Sequence, residues 1–206
     1  MGLMAKATGG GDFTPAPQGT HLALCNMVVD LGVQESTYKG ETKNQHQVYV
    51  RWELPHERIT WQDDSGEHEG PVVVGKIYTL SLHEKANLRK DLEAWRGRAF
   101  TTDELEGFDL FNLLGVGCQV TVTHKDREGG GVYANVTGVA GWPKGMDKPE
   151  GTEAPILKYT EGDEGDFENL PQWLRDKIMA QKKDTVNGSA PPAEPDHPAF
   201  DDEIPF

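Results

Sequence analysis

The sequence predicts an all-β fold: a small β-barrel with one capping helix, followed by an acidic tail too polar to fold. Three observations point there. Hydrophobic residues make up only 36% of the 206, while 24 glycines and 13 prolines punctuate the chain, a composition suited to short strands and turns. Apolar and polar residues alternate with a period of two over 47–54 and again over 117–125, the pattern of strands with one buried face. Between them lies one 3.6-residue stripe, Leu88, Leu92 and Trp95, which reads as a single helix packed on the strands.

Taken in order, residues 1–19 read as a flexible arm. Met1 to Pro17 holds one lysine and three successive glycines, without the apolar run of a secretory leader. The apolar stretch Leu22-Ala23-Leu24-Cys25-Asn26-Met27-Val28-Val29-Asp30-Leu31 gives a first strand over 20–33, stopped by Gly32. A turn over 39–44 leads to the second strand, 47–54. There Val48, Val50, Trp52 and Leu54 face a core, and Gln47, Tyr49, Arg51 and Glu53 face solvent. Residues 55–70 form a polar connection containing Trp61.

The third strand spans 71–82, with a bulge expected at Gly75 that leaves open which face Lys76 and Tyr78 occupy. The spacing Ser81-x-x-Glu84 predicts a capping box that starts the helix, and Gly97 stops it. Thr101-x-x-Glu104 predicts a second short helical turn, and 108–114 an apolar connector. A fourth strand (117–125) and a fifth (132–139) form a hairpin around Asp126 to Gly131. In the fifth, Val132, Ala134 and Val136 face in, and Tyr133 and Asn135 face out. Trp142-Pro143-Lys144 closes the domain, which is therefore expected to run from 20 to 145. Residues 146–200 read as an acidic, Pro/Gly-rich linker with a short amphipathic helix over 171–181.

The totals exclude several classes. No stretch approaches the roughly 20 apolar residues that cross a bilayer. Cys25 and Cys118 are isolated and read as buried thiols in a reducing compartment, hence a cytoplasmic protein. The seven histidines fall in no metal-binding spacing, and no phosphate loop or nucleophile elbow occurs. No metal, cofactor or catalytic residue is expected. A net charge of −14 opposes binding to nucleic acid as a whole. It is concentrated towards the end, with twelve acidic and four basic residues between Thr160 and Phe206. Even so the remainder stays mildly acidic, so a nucleic-acid surface requires a local basic patch.

The last six residues, Asp201-Asp202-Glu203-Ile204-Pro205-Phe206, follow a run rich in Pro, Ala and Gly over 187–198 that lacks the apolar surface to fold. Three carboxylates ahead of a stiff Ile-Pro-Phe suit capture in a basic-rimmed apolar pocket on another protein. This hexamer resembles the acidic tip of bacterial single-stranded DNA-binding proteins, which also follows a Pro/Gly-rich linker. Residues 20–145 resemble phage-encoded members of that group, on the segments Tyr78-Thr79-Leu80-Ser81-Leu82-His83-Glu84-Lys85-Ala86-Asn87-Leu88-Arg89 and Gly107-Phe108-Asp109-Leu110 through Gly115.

The resemblance implies an OB-fold, a five-stranded Greek-key barrel, in the host cytoplasm. Its domain holds single-stranded DNA in replication, recombination and repair, while residues 201–206 recruit partner enzymes. The element order β-β-β-α-β-β agrees with that fold, although a small sandwich or an SH3-like barrel would read similarly.

Single-stranded DNA needs cations for phosphates and flat rings for bases. Tyr49 and Arg51 supply one of each on the second strand. Lys76 and Tyr78 extend the set if the bulge turns them outward. Lys125, Arg127 and Tyr133 add to it from the closing hairpin, and Trp61, Trp142 and Lys144 from loops. The alternative is an adaptor whose barrel binds another protein. Oligomeric state is left open, with a homo-oligomer among the options.

Overall fold

The structure is a computed structural model that describes residues 15–38, 41–63, 66–127, 130–149, 151–162 and 166–182. The acidic tip at 201–206, most of the expected arm and the expected linker from 183 on lie outside the described residues.

Antiparallel strands dominate: β1 (Gly19–Tyr38), β2 (Glu41–Asp63), β3 (Gly66–Thr79), β4 (Gly117–Asp126) and β5 (Val132–Gly141), with a three-residue β6 (Leu157–Tyr159). The sheet runs β3-β2-β1-β4-β5. Its two ends, β3 and β5, approach each other without pairing, and α1 (Asn87–Arg96) packs against both. The sheet is therefore rolled but not closed, with the helix across its opening.

The length of β1 organises the rest. Its first residues, Gly19 to Leu24, pair with β4, and Leu24 to Tyr38 pair with β2. Beyond Leu24 the edge that β4 leaves vacant is taken by β6, parallel to Met27–Val29. Gly32 does not stop this strand. It sits at a register shift with φ 65°, a left-handed conformation that glycine adopts without strain.

The β2–β3 pairing is also longer than expected. Residues 55–70 are not a polar connection, because Arg58 to Asp63 pair with Gly66 to Pro71 after a register shift between Leu54 and Arg58. The irregularity expected at Gly75 lies here instead.

The inner core follows the period-two rows. Val48, Val50, Trp52 and Leu54 are buried with Val74, Tyr78, Cys118, Val120, Val122, Val136 and the α1 stripe of Leu88, Leu92 and Trp95. On β5, Val136 is buried as expected, but Val132 is exposed beside the turn of the hairpin. Gly97 ends α1 in the left-handed conformation. The helix begins later than its expected cap: Ala86 precedes it without a side-chain cap, and the Ser81 hydroxyl accepts instead from the His83 amide, closing a turn. The Thr101–Glu104 capping box is present with both hydrogen bonds and opens α2 (Thr102–Glu106).

A second core sits on the other face of β1. Met27, Val29 and Leu31 pack with Leu170, Leu174 and Ile178, and the last two belong to α3 (Gln172–Met179). The expected boundary at 145 therefore does not hold. The helix expected over 171–181 exists, but it is docked on the sheet rather than carried in a linker. The physical reason is the stripe at i, i+4 and i+8 formed by Leu170, Leu174 and Ile178, which requires an apolar partner and finds the outer face of β1.

Candidate functional site

The site residues expected from the sequence separate into three surfaces and one structural cluster. Lys76 and Tyr78 form the cluster. With no bulge at Gly75, period two holds, and both face inward opposite Val50 and Val48. The Lys76 ammonium and the Tyr78 hydroxyl each donate to Asp91 Oδ2 on α1 at 2.7 Å. Burial, with Asp91 second, raises the Tyr78 phenol well above its usual range. These two residues tie the helix to the sheet and present nothing to a ligand.

The first surface lies on the outer side of β2 and β3. Tyr49 was expected on solvent, but its ring meets Trp173 of α3 edge-on, with centroids 5.1 Å apart. Burial pushes its phenol up to about 12. Its hydroxyl lies against Gly75, where a Cβ would stand 2.1 Å away. Arg51, two residues along the same face, donates from Nε to the buried Asn26 Oδ1 at 3.0 Å. It has no carboxylate partner among the described residues, and burial lowers its pKa from the ordinary value.

The Arg51 side chain lines a cavity of about 470 Å³ with Ala16, Ile59, Trp61, Val73 and Pro155. Trp61 is 47% exposed there, stacked on His68 at 5.6 Å. The cavity's two carboxylates, Glu69 and Glu153, are both held by Arg58. Next to it, Glu53 is fully buried, where it accepts the backbone amides of Glu153 at 2.9 Å and Ala154 at 2.7 Å.

The second surface is the β4–β5 hairpin end. Lys125 stands opposite Tyr133, and the Arg127 guanidinium lies 5.9 Å from the Tyr133 ring centroid. Both cations are exposed, without a carboxylate partner among the described residues. The two surfaces are joined through residues 15–18. Ala16 lines the first cavity, and its carbonyl lies 2.8 Å from His124 Nε2, while Gln18 Oε1 accepts the His124 amide.

The third surface is at the opposite end of β4 and β5. Trp142 packs flat over Gly117, where a Cβ would come within 2.6 Å, and its indole donates to the Met146 carbonyl. Together with Lys144, Lys148, Arg96, Phe108 and Met146 it lines a groove of about 840 Å³ that no carboxylate lines among the described residues. Arg96 lies 4.3 Å from the Phe100 ring centroid and is paired with Glu104.

The sequence reading missed Arg96, Lys148 and His68 at these surfaces, and Trp173 beside Tyr49. Only Trp173 carried a signal, because a tryptophan adjoining the Leu170/Leu174/Ile178 stripe sits at the border of whatever that stripe covers. Among the described residues no group of three His, Cys, Asp or Glu side chains is arranged to hold a metal, and no helix is long and apolar enough to cross a membrane.

Fold and surfaces together define an antiparallel β protein with a helix across a rolled sheet and, on its outer face, cations beside rings that have no carboxylate ion pair among the described residues. Compared with protein-family models, with curated proteins and with solved structures, the chain matches none.

Proposed function

We propose that this chain is a non-catalytic single-stranded DNA-binding protein of the OB-fold type. It coats unpaired strands without sequence preference in phage replication and recombination, and residues 201–206 recruit partner enzymes. The observation that carries this reading is the continuity of the first two surfaces. Arg51 and Trp61 on β2 run through Ala16 and Gln18 to His124, Lys125, Arg127 and Tyr133. The pairing order β3-β2-β1-β4-β5, with β3 and β5 drawn together, is the order an OB barrel has when cut between those two strands. In that fold the strand 2–3 face and the loop between strands 4 and 5 take oligonucleotides.

Unpaired cations beside rings are what a single strand requires, and they offset locally the acidity of the whole chain. Titration with oligo-dT, followed by tryptophan and tyrosine fluorescence over a range of salt, tests the reading. Salt-sensitive quenching is expected. An unchanged spectrum at micromolar protein overturns it. Deleting residues 201–206 is expected to tighten binding at low salt, since the acidic segment competes with phosphate, and to abolish partner recruitment.

One observation favours a second reading, an adaptor that binds another protein. The groove around Trp142 combines an apolar floor with Arg96, Lys144 and Lys148 and has no lining carboxylate among the described residues, which suits an acidic peptide with bulky apolar side chains. An adaptor would leave the oligo-dT spectrum unchanged.

A further inference from the structure

From the seating of α3 on β1, which sets Trp173 against Tyr49 of β2, we infer that Trp173 is a base-stacking residue of the strand-binding face, supplied by a segment beyond the barrel. The inference rests on the single-stranded DNA reading and extends its site. Trp173 is 48% exposed although α3 buries Leu174 and Ile178 completely or nearly so. The indole is therefore set at the rim of the helix contact, not within it. Large rings left half-exposed at a fixed position are a feature of binding surfaces.

The fixing is visible. The Tyr49 ring supports Trp173 edge-on at 5.1 Å and 87°. Tyr49 is in turn held against the bare backbone of Gly75, where any side chain would collide with its hydroxyl. Trp61 is built the same way: 47% exposed, backed by His68 at 5.6 Å and 22°, and resting on Gly70, where a Cβ would stand 3.1 Å from the ring.

Arg51 follows Tyr49 by two residues on the same face of β2 and lines the cavity that Trp61 lines, so that along β2 it falls after the support of one indole and before the other. It has no carboxylate ion pair among the described residues. Ring, cation, ring is the order a single strand needs to stack bases at either side of a held phosphate. Because both indoles are already positioned by a second ring, little side-chain entropy is lost on binding. The consequence is that α3 belongs to the ligand surface as well as to the fold. A barrel ending at 145 would lack one of the two stacking positions.

The test uses the full chain and fluorescein-labelled oligo-dT. Trp173→Leu keeps apolar bulk on Tyr49 but removes the flat ring. It is expected to weaken binding about ten-fold, with the thermal midpoint unchanged and the slope of log K against log salt unaltered, since no phosphate contact is lost. Trp173→Phe is expected to restore most of the affinity. Arg51→Ala serves as the contrast, lowering the slope by about 0.7.

If Trp173→Leu binds as tightly as the unaltered chain, the inference is wrong and the DNA reading stands. If affinity and thermal midpoint fall together and phenylalanine restores neither, Trp173 is only structural and the inference is equally overturned. If the unaltered chain does not bind oligo-dT, the DNA reading and the inference fall together.

Discussion

The inner face of β2 carries Val48, Val50, Trp52 and Leu54, each buried by strands and a helix encoded within 100 residues. The outer face carries Tyr49, Arg51 and Glu53, and the first and last meet residues 100 or more positions downstream: Trp173 against Tyr49, and the amides of Glu153 and Ala154 on Glu53. Both faces are covered, but by different means and to different degrees, since Glu53 is buried while Tyr49 and Arg51 stay partly exposed. The inner face is apolar throughout and needs only collapse. The outer face mixes a phenol, a guanidinium and a carboxylate. It is closed by specific partners for the polar groups and by a small apolar cluster, Met27, Val29 and Leu31 under α3, for the rest. A polar row on an alternating strand is thus no proof of solvent; it shows only that whatever covers the row must satisfy it.

The largest expected effect separates the two faces directly. A chain ending at residue 149 loses β6 and α3 and exposes Met27, Val29 and Leu31, which are buried completely. At about 1.5–3 kcal/mol for each such side chain, the loss is on the order of 5 kcal/mol. Chemical denaturation should show a lower midpoint or outright unfolding. A truncated chain as stable as the full one would mean that the outer cluster contributes nothing.

Trp52→Ala, on the inner face, is expected to cost about 3–5 kcal/mol and to disturb Trp95, whose ring lies 5.9 Å away. Leu174→Ala, on the outer face, is expected to cost about 2–5 kcal/mol. It has a second readout. As α3 loosens, the Tyr49 phenol should fall from about 12 towards its ordinary value near 10, visible in a spectrophotometric titration. An unmoved tyrosine would show that α3 does not bury it.

Glu53→Gln tests the polar part of the closure. It replaces a charged acceptor of two amides by a neutral amide, at a cost of about 1–3 kcal/mol, read as a lower thermal midpoint with residues 151–156 more open to hydrogen exchange.

The smallest effect concerns pH. His46 Nε2 lies 2.6 Å from Asp30 Oδ1, and that hydrogen bond raises the histidine pKa. Burial opposes the shift of Asp30, yet its bonds to His46 and to the Gly32 amide still lower its pKa. A raised histidine contributes stability that is complete below about 6.5 and is lost as pH rises through its folded value. The lowered aspartate contributes stability that is lost on acidification below about 4. The pair therefore helps most between those limits. Because His46 is half exposed, its share is about 0–1 kcal/mol. His46→Gln should flatten the fall in stability as pH rises above about 6.5; an unchanged profile would assign that fall elsewhere.

How legible each part was follows from how far the deciding partner lies along the chain. The capping box at Thr101 and Glu104 is complete within four residues, and it is present. The same spacing at Ser81 and Glu84 misled, because the β3 ladder runs on to Thr79 and the Leu80 amide donates to the His46 carbonyl. A strand and its exit turn occupy the place where the helix would have begun. Lys76 and Tyr78 were ambiguous from sequence because one residue of bulge reverses a strand's faces. The register that removes the ambiguity belongs to β2, more than 20 positions away.

What the sequence determined by itself is the set of local periods and stops: the alternation that places Val48 to Leu54 in a core, the stripe of Leu88, Leu92 and Trp95, and the left-handed glycine after α1. These depend on neighbours a few residues apart, whose geometry is set by the backbone. The tertiary structure alone decided that β1 runs through Gly32, that its outer face acquires a second core, and that Tyr49 supports Trp173 while Arg51 donates to Asn26. Those outcomes turn on which distant segment reaches a given edge or face first, and on whether it can satisfy the polar groups waiting there.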